Sequence, residues 1–276
     1  MVKMIKNIFF DIDETLLDFS KSERVALTGA LESFCIESSD AILKRYSEIN
    51  LQQWKRLERG EITHYEVKIN RFKLLFEEFG VLNVEPEDIT KAYESRLGDC
   101  AFLIDEAQEV VQKLSNDGYR LFVVTNGTAH VQRGRLKHVG LYDLFENIFI
   151  SQDLGVNKPN IAFFEKAAAS IDGFAKDETL IVGDSLTSDM KGGKCFGLTT
   201  VWFNRAFLTD SYLVVKNEKT ELNAVSVDSL KNKSNFEENL SGVLSDDELS
   251  RLLYVDYQIS RLSQLELLLS DLNCPN

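Results

Sequence analysis

The chain has four cysteines, Cys35, Cys100, Cys195 and Cys274, with no C-x-x-C pair among them and no histidine at metal-ligand spacing. That excludes a zinc-ribbon or finger site and leaves reduced thiols of a cytosolic protein as the expectation. Basic residues are scarce: 31 Lys and Arg stand against 44 Asp and Glu, a formal net charge of −13, and no Lys/Arg cluster is found. A nucleic-acid polymer is therefore excluded as a partner, because phosphate-backbone binding draws on such clusters. A small anionic substrate would need a locally positive pocket of backbone N–H groups, a metal and one or two basic residues. Long hydrophobic runs are also missing. The N-terminal apolar stretch is broken at Asp11, too early for a signal segment or a spanning helix, and no later stretch approaches ~20 apolar residues. The expected setting is the cytoplasm, away from membranes. There is no internal repeat and no low-complexity segment. What is present is 276 residues, 44% hydrophobic, enough for a core domain and a smaller companion.

The informative stretch runs from Ile5 to Leu17, where the apolar Ile8-Phe9-Phe10 leads straight into Asp11-Ile12-Asp13-Glu14-Thr15. A strand that reads as buried does not normally run into two close carboxylates, since each is costly without a partner and the two repel. A hard divalent cation, Mg²⁺ by preference, makes the pair favourable and usually brings a phosphate with it.

After Leu17 the pattern turns helical for about eighty residues. Ser20 with Glu23 reads as a capping box opening a first helix; a second runs from near Ser39 to Arg59, with Leu43, Tyr46, Trp54 and Leu57 on one stripe. Thr63 with Glu66 opens a third, ended by Gly80, and a fourth follows Pro86 and closes near Gly98. From Asp105 helices alternate with the strands Leu121–Val124, Ile148–Ile150, Leu180–Val182 and Thr200–Phe203, the signature of a parallel sheet covered on both faces. The predicted fold is α/β, a Rossmann-like parallel core with an inserted all-helical cap. Core residues are 1–17 and 100–240, the cap is 18–99, and 241–276 form a helical C-terminal tail. Short strands are expected at 212–216 and 222–227, a polar helix at 227–240, and one or two amphipathic helices at 245–272. The cap and C-terminal helices are the candidates for a homo-oligomer surface.

In a parallel sheet the ligand site lies at the carboxyl ends of the strands. Asp11 and Asp13 follow the first strand, Thr125-Asn126-Gly127 follow Val124, Lys158-Pro159 follow the third strand's loop, and Gly183-Asp184 follow Val182, with Asp189 a few residues on. Singly, these read as an Asn-Gly turn, a solvated loop lysine and helix-capping aspartates. Together they supply metal ligands, a phosphate cradle and a charge clamp, the parts of a Mg²⁺-assisted phosphoryl transfer.

These residues, Asp11-Ile12-Asp13-Glu14-Thr15, Thr125-Asn126-Gly127, Lys158-Pro159 and Gly183-Asp184-Ser185-Leu186-Thr187-Ser188-Asp189, resemble the four motifs of the haloacid dehalogenase-like hydrolase superfamily, in order, over residues 1–205. Gly155-Val156-Asn157-Lys158-Pro159 and Thr200-Val201-Trp202-Phe203-Asn204 further resemble its noncanonical pyrimidine 5′-nucleotidase branch. The resemblance implies a nucleophile at Asp11 and a general acid and base at Asp13. It places Mg²⁺ on Asp11, the Asp13 carbonyl and Asp184, with Asp189 as a further or outer ligand. Thr125 and the N–H groups of Asn126 and Gly127 would hold phosphoryl oxygens, and Lys158 would balance charge. The substrate class is a small phosphate ester, a nucleoside 5′-monophosphate first, with a phosphatase or mutase for a sugar phosphate or phosphoglycolate as the alternative. Asp13 argues against a dehalogenase, which attacks carbon and needs no acid there. A phospho-receiver switch or an inactive scaffold are the readings of another class; the length, the helical insertion and the full residue set speak against both. Trp54, His64, Tyr65 and Phe72 are candidates for stacking on a base.

Overall fold

The computed structural model describes residues 4–215 and 252–274. The sequence expectations at 222–227 and 227–240 lie outside those residues. Two compact units emerge: 1–16, 103–125 and 144–276 form one, and 17–102 with 126–143 form the other.

The first unit is built on a seven-stranded sheet, among the described residues, whose strands are β1 (Asn7–Phe10), β2 (Arg120–Thr125), β3 (Asn147–Ile150), β4 (Thr179–Gly183), β5 (Thr199–Phe203), β6 (Leu213–Val214) and β7 (Tyr257–Ile259). The spatial order is β3-β2-β1-β4-β5-β7-β6, parallel throughout except for the antiparallel β6–β7 edge. β1 is central, pairing Asn7 with Arg120 on one side and Thr179 on the other. Its Ile8, Phe9 and Phe10 are fully buried, as a strand covered on both faces requires. One face carries a core of Phe9, Phe122, Phe149, Phe163, Phe164 and Ile181. Phe9 meets Phe122 edge-on, with centroids 5.6 Å apart.

The tail expectation needs correction. Residues 257–259 are not helical but add a strand beside β5, pairing Val201 with Tyr257 and Phe203 with Ile259. Asp256, just before it, accepts from Thr200 N at 3.0 Å and Oγ1 at 3.1 Å, and its carboxylate also pairs with Lys194. The helix Gln264–Asn273 then buries Leu265, Leu268 and Leu269, and Asn273 Oδ1 accepts the Ile5 N–H at 2.7 Å. The leucine period masked a three-residue strand too short to show an alternation of its own.

The second unit is helical: α1 (Phe19–Ser33), α2 (Asp40–Glu58), α3 (His64–Phe79), α4 (Pro86–Gly98) and, from the later segment, α6 (Ala129–His138); α5 (Ala107–Asn116) belongs to the first unit. Asp18, not Ser20, caps α1, accepting from Lys21 N at 2.8 Å, and Glu23 turns inward instead, to Asn50. The Thr63–Glu66 capping box is present in both directions, and α3 stops at Gly80, whose φ of 69° is the left-handed turn that glycine takes at no cost. Ile42, Leu43, Tyr46, Ile49, Asn50 and Leu57 form the buried face of α2 at helical spacing. α4 and α6 approach closely: a Cβ on Gly134 would lie 2.8 Å from the Gly98 carbonyl oxygen. Among the described residues no helix is long and apolar enough to cross a membrane.

Candidate active site

β1 delivers Asp11 to the carboxyl edge of the sheet, where its N–H still donates to Val182 O of the neighbouring strand at 2.9 Å. Ile12 and Leu16 are buried and anchor the turn on either side of half-buried Asp13, while Glu14, at φ 56°, pairs with Arg205. Lys158 is drawn fully inside, 1% exposed, and its ammonium makes three bonds: to Asp11 Oδ1 at 2.8 Å, Asp189 Oδ1 at 2.6 Å and the Val124 carbonyl at 2.7 Å. Since Val124 precedes Thr125, the lysine ties β2's end to β1's.

Asp184 and Asp189 arrive from the loop after β4. Ser185 shapes it, its Oγ accepting the Ser188 N–H at 3.1 Å as the residues Leu186–Met190 make one wide π-helical turn into the helix Lys191–Phe196. That turn aims Asp189 back, so that its Oδ2 accepts the Ser185 N–H at 3.2 Å. Gly183 is required here: a Cβ at that position would meet Asp189 Oδ2 at 2.4 Å. Trp202, on β5, donates its indole N–H to the Asp184 carbonyl at 2.8 Å.

Among the described residues, Asp11, Asp184 and Asp189 can each offer an oxygen within 4.8 Å of the others. One ammonium among three carboxylates leaves a negative excess in a place with little water. The electrostatics record it. Burial, then the Asp189 charge, push the Asp11 carboxyl up to about 8 from 3.8, against the pull of Lys158. Burial, with Asp11 and Asp189 behind it, holds Asp184 well above the usual carboxylate range. Burial would lower Lys158, yet Asp11 and Asp189 outweigh it and hold the ammonium above its ordinary range. A divalent cation fits this donor set, being the charge that would let all three carboxylates ionise together.

The structure thus brings together Asp11, Lys158, Asp184 and Asp189, with Thr125 buried at the end of β2. Asn126 and Gly127 continue from Thr125 into the helical unit, where the Gln132 side chain packs onto Gly127 so closely that a Cβ there would lie 2.3 Å from Nε2. Ser185, Trp202 and the Val124 carbonyl were not foreseen as parts of the site. Ser185 had a signal, a small hydroxyl after Gly-Asp before a helix; Trp202 had none, because its role depends on the register of β5 against β4. Of the candidate stacking residues, Phe72 is core, fully buried against Tyr46 and Tyr93, and Trp54 packs edge-on to His64 with centroids 5.8 Å apart.

A buried Asp–Lys–Asp array at the carboxyl edge of a parallel sheet, with a helical unit inserted after the first strand, defines a hydrolase of the haloacid dehalogenase type. The chain belongs to that family: the model for haloacid dehalogenase-like hydrolases matches residues 5–197. It is 37% identical to the pyrimidine 5′-nucleotidase PynA of Streptococcus pneumoniae, over 72% of this chain and 84% of that one. It is 31% identical to a glyceraldehyde 3-phosphate phosphatase of Pyrococcus abyssi, over 72% and 82%. The crystal structure of the HAD-hydrolase YfnB of Bacillus subtilis, bound to magnesium, superposes with a TM-score of 0.71 at 35% identity, covering 75% of this chain and 92% of that one. The protein is an enzyme, a phosphatase-type hydrolase of this family.

Proposed function

We propose that the chain is a Mg²⁺-dependent phosphomonoesterase working through an aspartyl-phosphate, with nucleoside 5′-monophosphates, pyrimidine ones first, as substrates. The observation that carries this is Asp11 at the sheet edge, its Oδ1 accepting from the Lys158 ammonium at 2.8 Å, with Oδ2 assigned as the nucleophilic oxygen. In the first step Asp11 Oδ2 attacks phosphorus as the ester P–O bond breaks, and Asp13 gives its proton to the departing alkoxide. In the second, Asp13 takes a proton from water as the water oxygen attacks the phosphorus, releasing inorganic phosphate and restoring Asp11. Thr125 and the N–H groups of Asn126 and Gly127 hold phosphoryl oxygens. Lys158 balances the charge of phosphate and nucleophile, and Asp189 keeps its ammonium in place. Mg²⁺ would be held by Asp11, Asp184 and the Asp13 carbonyl, with Asp189 outside them, and would supply Lewis-acid stabilisation of phosphoryl charge.

The likeness to PynA supports the nucleotide reading, and the phosphatase from Pyrococcus abyssi keeps small sugar phosphates as the alternative. Release of inorganic phosphate from a panel of phosphomonoesters in Mg²⁺ is the test. Uridine or thymidine 5′-monophosphate should show the highest kcat/KM. Faster turnover of a triose or hexose phosphate or of phosphoglycolate would discard the nucleotidase reading and keep the hydrolase.

A further inference from the structure

The helical unit holds a second cluster of charge that the roles above leave unused. Glu94, on α4, has a side chain only 11% exposed. Its Oε1 takes Lys68 Nζ at 2.9 Å and Thr128 Oγ1 at 3.3 Å, its Oε2 lies 3.7 Å from His130 Nε2, and the Arg71 guanidinium stands 3.9 Å away. Glu94 therefore faces an ammonium, a hydroxyl and an imidazole, while Arg71 is shared: its Nη1 donates to Asn50 Oδ1 at 3.1 Å, and Asn50 in turn donates to Glu23 at 2.7 Å. Buried ion clusters are a weak source of stability, because desolvation offsets the attraction. This one is also incompletely satisfied: Arg71 is 3% exposed, yet its Nε has no hydrogen-bond partner. Donors in excess around one acceptor suit a ligand that brings acceptors of its own. The edge of the cluster is open, since His130 is 63% exposed.

Position narrows the ligand. Thr128 follows Asn126-Gly127 directly, and two residues of backbone span at most ~7 Å. Glu94 thus lies within about 13 Å, at full extension, of the N–H groups assigned to the phosphate, an upper bound that leaves room for one sugar between a phosphate and its base. Across Glu94 the groups run donor, acceptor, donor: Lys68 on one carboxylate oxygen, His130 near the other. The complement is acceptor, donor, acceptor. That is the carbonyl, imide N–H, carbonyl edge of a 2,4-dioxopyrimidine; cytosine turns a lone pair to the carboxylate instead.

We infer that Glu94, Lys68 and His130 form the base-reading site, Glu94 accepting the imide N–H of uracil or thymine while Lys68 and His130 donate to the flanking carbonyls. This rests on the nucleotide reading above. The test compares uridine 5′-monophosphate with p-nitrophenyl phosphate, which has no base, in the Mg²⁺-loaded enzyme and in Glu94→Gln and Lys68→Met. Glu94→Gln should lose at least about tenfold more kcat/KM on the nucleotide than on p-nitrophenyl phosphate, chiefly through KM. In the unaltered enzyme, N3-methyluridine 5′-monophosphate should show a comparable loss, an arm that does not depend on any variant folding. Proportional losses on both substrates, or an N3-methyl substrate handled like its parent, would overturn the base-reading site alone. An unaltered enzyme that cleaves p-nitrophenyl phosphate but no nucleotide would overturn the nucleotide reading and this site with it.

Discussion

At the sheet edge three carboxylates face a single ammonium, whereas in the helical unit Glu94 gathers Lys68, Thr128 and His130, with Arg71 shared between Glu94 and the Asn50–Glu23 pair. The sheet-edge carboxylates and Glu94 are all largely withdrawn from water. The first is short of positive charge and suits a cation; the second has hydrogen-bond donors crowded around Glu94 and suits a ligand that brings acceptors. The two also differ in how they are built. The sheet-edge residues come from loops after separate strands, each locked by backbone bonds, while the second cluster gathers side chains of three helices, α3, α4 and α6, whose register alone decides what meets.

The largest effect should come from Asp11→Asn, which keeps shape and removes the proposed nucleophile. Phosphate release should fall by more than a hundredfold, at least ~3 kcal/mol of barrier, with fold intact by circular dichroism; residual activity above about one per cent would exclude the covalent route. Lys158→Met comes next. It leaves Asp11 and Asp189 buried without their cation, so the chelated protein should lose about 3–5 kcal/mol in urea denaturation, and Mg²⁺ should recover part of that. Equal stability of variant and parent in chelator would show that the negative excess is not felt.

The third prediction uses pH. In the folded, metal-free chain Asp11 holds its proton up to about 8, against 3.8 for an ordinary aspartate. Its contribution to stability is therefore full below 3.8 and is lost as pH rises through about 8; Asp184 shifts in the same direction. A metal needs the ionised carboxylates, so the gain in Tm on adding Mg²⁺ to chelated protein should grow between pH 5 and pH 8. A gain that is flat or shrinks with pH would remove Asp11 from the metal's ligands. The smallest effect should be Thr63→Ala, which opens one capping box in the helical unit for about 1 kcal/mol in urea denaturation and moves kcat by less than twofold. A larger fall in kcat would place α3's start in the chemistry.

The sheet-edge residues were legible because chemistry puts unusual residue types where strand physics would not: Asp11 and Asp13 after Ile8-Phe9-Phe10 cannot be read as core, and Gly183-Asp184 repeats the pattern three strands later. The Thr63 box was legible because its signal lies within four residues. Asp18 was missed as the cap of α1 because Ser20 and Glu23 satisfied the same local rule, and only the interior decided that Glu23 would turn to Asn50. β7 was hidden by the leucine period around it. Glu94, Lys68 and His130 carried no sequence signal at all, since charged residues on helices read as solvated faces until helix packing buries them.

The central place of β1 has a kinetic consequence. β1 precedes the other strands of its sheet in the chain, so it finds its two partners only when Arg120 and Thr179 have followed, and the Ile5 N–H waits for Asn273. Such distant pairings carry a large loop-closure cost before any contact repays it, which slows folding and leaves an apolar strand unpaired during synthesis. The helical segment 17–102, by contrast, forms local contacts as it emerges. Until β2 and β4 arrive, Asp11 rides on the end of an unpaired strand, so a growing chain acquires its proposed nucleophile long before it can place it.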